Sequence, residues 1–122
     1  MKKINIKDSL NRINDHWKPR IAAELNGQHV RLVKLLGSDF EFHRHQGEDE
    51  LFFVVKGSIH LEFEAHSICL NEGELLVVPG GVLHRPVARE EAHLMMFVRE
   101  TNVNTGDVEN RFTLNTSNLK KI

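Results

Sequence analysis

The stretch Gly37-Ser38-Asp39-Phe40-Glu41-Phe42-His43-Arg44-His45-Gln46-Gly47-Glu48-Asp49-Glu50-Leu51-Phe52-Phe53-Val54-Val55-Lys56-Gly57 decides how the chain reads. It holds two histidines two apart, a carboxylate five residues on, and an apolar run closed by glycine. Side chains alternate faces along an extended chain, so His43 and His45 share a face if this is a strand. Glu50 opens the next run, on the parity of Phe52 and Val54. If the two segments pair antiparallel, its carboxylate reaches the imidazole face, an arrangement that proposes a metal site. His84 is the natural fourth donor, because it follows the break Pro79-Gly80-Gly81, which can turn a strand toward an interior.

Outward from this stretch the chain reads as short strands. Leu51 to Val55 is apolar on both parities, as in a strand buried on both faces. Ile59 to Ala65 alternates, with His60, Glu62, Glu64 and His66 on the polar side. Ile68-Cys69-Leu70 and Leu75 to Val78 are further strands, divided by Asn71-Glu72-Gly73. His84 begins an extended segment in which Pro86 marks an edge or bulge, and Ala92 to Arg99 is the last strong strand. Upstream, Asn26-Gly27 is a turn and His29 to Leu36 is strand-like. Residues 4–18 carry a helical stripe of Ile6, Leu10, Ile13 and Trp17, ended by Pro19. One short helix and about eight strands, with turn signals every 8–12 residues, predict an all-β sandwich or barrel. The expected organisation is a helix and arm over 1–20, a barrel over 21–103 and a polar tail over 104–122, weakly periodic from Val108.

A chain of 122 residues with 40% hydrophobic and 27% charged residues is sized for one soluble domain. Its net charge of -1 argues against nucleic acid as a partner. No run approaches the roughly 18 apolar residues of a membrane span, and Met1-Lys2-Lys3 is not followed by a leader-like stretch. One cysteine permits no internal disulfide. These features predict a cytoplasmic protein.

The stretch resembles the first cupin motif, G-x5-H-x-H-x4-E-x6-G, with Gly37, His43, His45, Glu50 and Gly57 in place. Gly73, Pro79, Gly81 and His84 resemble the second, G-x5-P-x-G-x2-H-x3-N, although Ala88 stands where the asparagine belongs. The resemblance implies a cupin double-stranded β-helix, or jelly-roll barrel, enclosing one divalent metal ion. By the same match His43, His45, Glu50 and His84 would be its ligands, leaving two adjacent positions open on an octahedral ion. Glu48 or Asp49 could replace Glu50 in a different loop register, but Glu50 alone fits the spacing to Gly57. Imidazole and carboxylate together suit Fe, Mn, Ni, Co or Zn.

The expected function is that of a metal-dependent enzyme acting on a small polar molecule chelated at the ion, of dioxygenase, isomerase or lyase type. The alternative is a non-catalytic cupin that binds or senses a small ligand. Other residues receive lesser readings. His93 is placed at the pocket or its rim as a proton carrier. His60 and His66 read as surface residues, and His16 and His29 belong to no constellation. Cys69 reads as a small buried hydrophobe, and Arg85 and Arg99 as anion-holding groups if they face inward. The parity that turns His43 and His45 inward turns Phe40 and Phe42 outward. Cover for that outer face comes from the helix or from a second subunit, and a homodimer is expected.

Overall fold

Two long strands carry the architecture of the computed structural model, which describes residues 1–122. Strand β2 (Gln28–Gly37) pairs antiparallel with β7 (Arg85–Arg99), from Gln28 opposite Arg99 to Gly37 opposite Ala88. On the other side of β7 lies β3 (Glu50–Lys56), followed by β6 (Leu75–Val78). Strand β1 (Arg20–Leu25) flanks β2, and the two-residue β8 (Lys120–Lys121) adds in parallel to β1. A second sheet holds β4 (Ser58–Glu62) and β5 (Ser67–Asn71), and β4 pairs with the first residues of β7. The segments predicted from His84 and from Ala92 are thus one strand that bends from one sheet into the other. Pro86 sits where β7 is paired only with β4, so its missing N–H costs no second ladder.

Register decides what faces inward. Arg31, Met96 and Phe52 lie in one row across β2, β7 and β3. With them the interior takes His29, Val33, Leu35, Glu50, Val54, Ala92, Leu94 and Val98, all buried. Val54, Ile59, Leu61 and Leu94 are wholly enclosed, and each contributes about 1.5–3 kcal/mol of transfer free energy.

Several expectations need correction. Helix α1 covers only Ile6–Asn11, capped by the Asn5 side chain accepting from the Asp8 amide at 2.9 Å. The stripe then divides. Leu10 and Ile13 pack on Leu32 outside β2, whereas Trp17 joins the main core. Trp17 takes a left-handed φ of 64°. Its amide donates to the Lys34 carbonyl at 2.9 Å and its indole to the Leu36 carbonyl at 3.1 Å. Docking on β2 and burying the indole therefore outcompete further helical turns.

Phe40 points inward, not outward: it is buried and stacks on Trp17 with centroids 5.0 Å apart. The reason is that residues 40–45 form no strand. They join the barrel through one bridge, His43 to His84, so strict alternation does not hold there. Cys69 is exposed, because Ile68 and Leu70 supply the covered side of β5. Strand β4 stops at Glu62, where the Phe63 amide donates to the His66 carbonyl at 2.8 Å and turns the chain.

Candidate metal centre

The arm carrying His43 and His45 is positioned from three sides. His43 exchanges backbone hydrogen bonds with His84 at 3.0 and 2.9 Å, and Gly81 donates to the His45 carbonyl at 2.9 Å. The Asp107 amide donates to the Arg44 carbonyl at 3.0 Å, and the Asp107 side chain accepts from the Arg44 amide at 3.0 Å. Gly106 permits that contact: a Cβ there would overlap the Arg44 carbonyl and sit 3.1 Å from the His43 ring. Gly80 has a similar task, since a Cβ would lie 2.8 Å from the Glu48 amide nitrogen. Glu50 projects from the first residue of β3.

These elements bring His43, His45, Glu50 and His84 together. Each offers a donor atom, the four atoms lie within 4.8 Å of one another, and all four residues are buried. The His43 Nδ1–H donates to the Glu41 carbonyl at 2.9 Å and the His84 Nδ1–H to the Val82 carbonyl at 2.8 Å. Backbone carbonyls thus fix both tautomers and leave the two Nε2 lone pairs facing inward. His84 Nε2 then meets Glu50 Oε1 at 2.9 Å. Two lone-pair atoms at that separation call for a cation or an added proton between them. His45 Nε2 lies 3.1 Å from the same oxygen, off the line of a hydrogen bond, and has no hydrogen-bond partner. The Asn102 amide nitrogen faces His45 Nδ1 at 3.2 Å and Glu50 Oε2 at 3.4 Å. For His45 to offer a bare Nε2, its proton must sit on Nδ1 and Asn102 must turn its carbonyl toward it. This group could hold a metal ion.

The electrostatics agree. Burial pushes His43 down to about 4, so it stays neutral near neutral pH. Burial alone would raise Glu50, but the His45 and His84 imidazoles outweigh it and hold the carboxyl down, to about 2. The group therefore combines a neutral His43 imidazole with an ionised Glu50 carboxylate.

A narrow pocket reaches His43 and Glu50. Trp17, Val33, Phe40, Leu94 and Met96 form its apolar wall, and Arg31, Asn102 and Asn104 its polar end. It has room for roughly three water molecules.

The other candidates lie elsewhere. Asp49 accepts from the Gly80 amide at 2.8 Å, and Glu48 accepts from the Thr101 hydroxyl, so neither displaces Glu50. His93 is not at the pocket. Its parity on β7 is that of Met95, which packs toward α1, and it contacts Glu91 at 3.1 Å. Arg85 pairs with Glu62 at 2.7 Å and covers the Phe42 ring, and Arg99 is exposed. His29, which had no expected role, is buried and accepts from Arg31 Nε at 3.2 Å. Arg31 and Asn102 were missed by sequence reading. Arg31 left a signal, a cation on the parity of Val33 and Leu35, whereas Asn102 left none.

Comparison with known proteins places the fold. A family model described as a cupin domain matches residues 35–99, more than half of the chain. The uncharacterized protein YdbB of Bacillus subtilis (strain 168) is 33% identical over 64 residues, 52% of this chain and 56% of that protein. The match thus spans little more than half the length of that curated relative. A cupin-2 domain containing protein from Shewanella frigidimarina NCIMB 400 is 40% identical with a TM-score of 0.75, covering 77% of this chain and 91% of that one. A protein from Neisseria meningitidis is 35% identical with a TM-score of 0.73, covering 80% and 99%. KdgF from Halomonas sp. is 26% identical with a TM-score of 0.58, covering 66% and 78%.

Proposed function

This chain belongs to the cupin family, and on that footing we propose that it binds one divalent metal ion through His43, His45, Glu50 and His84 and acts as an enzyme on a small polar molecule held there. The observation that carries the reading is the convergence of four buried donor atoms within 4.8 Å, one of them a nitrogen with no hydrogen-bond partner. Unpaired buried polar atoms are costly, and a cation satisfies all four donors at once. The ion would supply Lewis acidity toward a substrate that offers it two oxygens, the common requirement of oxygenase, isomerase and lyase chemistry. The protein's own residues do the rest. The Glu41 and Val82 carbonyls aim two imidazoles, Glu50 remains ionised, and the Trp17–Phe40 wall keeps bulk water from the pocket.

A second reading has an observation in its favour. The pocket's titratable lining is Arg31, His43 and Glu50, so once the donors are engaged no free acid or base faces a substrate. That composition suits a binding cupin in which the ion anchors a ligand without turnover.

Elemental analysis of the purified protein, with His45→Ala and His84→Ala beside it, tests the metal. One equivalent of ion per chain, lost in both variants, is expected. A native protein without metal, whose fold and ligand binding ignore both substitutions, refutes the reading.

We also propose a homodimer. The outer face of β3, β6 and β7 presents Leu51, Phe53, Leu75, Val77 and Phe97, with Leu75 56% and Val77 45% exposed. Helix α1 covers Val55 and Met95 but not these. Light scattering at micromolar concentration is expected to give twice the chain mass, and Val77→Lys to give the chain mass; a wild-type monomer contradicts the dimer.

A further inference from the structure

Arg31 is the unexpected group in this interior. It is 2% exposed, stands in a row with Met96 and Phe52, and lines the pocket beside Glu50 and Asn102. Its Nε–H donates to His29 Nδ1 at 3.2 Å. Nη1 donates to the Asn102 backbone carbonyl at 2.8 Å, and Nη2 faces the Glu100 backbone carbonyl at 3.4 Å. None of these partners is a carboxylate, the Nη2 contact is long, and Glu50 and Glu48 attract the guanidinium without forming a hydrogen bond or ion pair with it. A buried charge whose counter-charges are not in direct contact is costly. Resting on the metal reading, a divalent ion held by one carboxylate and three neutral imidazoles adds further positive charge beside it.

We infer that the pocket binds a small monocarboxylate whose anionic end is held by Arg31 and whose short carbon chain lies against Phe40, Leu94 and Met96. Size and charge select this class. Room for roughly three waters corresponds to an acid of about six non-hydrogen atoms. One guanidinium with two asparagines fits a singly charged carboxylate, whereas a phosphate ester asks for more donors than this lining offers.

Calorimetric titration with pyruvate and with uncharged pyruvamide tests the inference, on protein whose zinc uptake has first been measured. The zinc-loaded protein is expected to prefer pyruvate by at least about tenfold, and Arg31→Met to lose about tenfold of that preference, while Arg31→Lys keeps part of it. In 15N-arginine-labelled wild type, the Arg31 Nε signal is expected to shift with pyruvate and not with pyruvamide. That signal decides the matter should Arg31→Met fail to fold. No pyruvate binding, an unaltered preference in Arg31→Met, or an unmoved Arg31 signal at saturation overturns the inference. Failure of zinc uptake is a different outcome: it removes the metal reading and leaves this one to the Arg31 signal in metal-free protein.

Discussion

The molecule contains two carboxylates that each touch two imidazoles. Glu50 lies between His45 and His84 at 3.1 and 2.9 Å, and Glu91 between His93 and His16 at 3.1 and 2.8 Å. Both carboxyls are held down to about 2, Glu91 by its hydrogen bonds with His16 and His93, and Glu50 by its two imidazoles against its own burial. The likeness ends there. The Glu50 side chain is 3% exposed and Glu91 44%. His43 joins the first cluster with its Nδ1–H held by a backbone carbonyl, and no third donor joins the second. A low carboxyl therefore does not by itself mark a metal centre. Burial, a third imidazole and fixed tautomers make the difference.

The comparison breaks first under substitution of histidine. His84→Ala is expected to weaken zinc binding at least about 100-fold by calorimetry, whereas His93→Ala changes it less than about twofold. Equal losses would make the two clusters alike.

Acid titration of metal-free protein comes next. Holding His43 down to about 4, against an ordinary 6.5, means that the unfolded chain binds the proton first. Its contribution, about 3 kcal/mol, is complete above pH 6.5 and is lost as pH falls toward 4. The depressed Glu50 continues the loss from about 4.5 toward 2. Urea melts across this range should show it, and His43→Gln should flatten the upper part. Glu91 is solvated, so Glu91→Gln is expected to alter stability by less than about 1 kcal/mol at any pH.

A smaller effect concerns Asn102. Asn102→Ala leaves His45 Nδ1 and one Glu50 oxygen without their neighbour, and zinc affinity is expected to fall about tenfold with the fold intact by circular dichroism. An unchanged affinity would mean that His45 is oriented by packing alone.

Much of the barrel was legible because β-strands write their burial into alternation. Glu50, Phe52 and Val54 share a parity, and all three face inward. The spacing of His43, His45, Glu50 and His84 was legible too, since glycine and proline punctuate it. The alternation rule failed at Phe40, where residues lack a ladder to enforce it, and at Trp17, where contacts with β2 override helical periodicity. Asn102 was illegible for another reason: its role depends on a turn after β7 that brings it to His45, 57 positions away in sequence. The segment from Val108 reads as weakly periodic, yet Phe112 lies tilted against Trp17 and Phe40, and Leu119 is buried.

The central claim concerns where a cation sits. Anomalous scattering from crystals of the purified, zinc-loaded protein tests it most directly. The account predicts one strong peak among His43, His45, Glu50 and His84 and none beside Glu91. A peak between His16, Glu91 and His93, or no peak within the barrel, would contradict it.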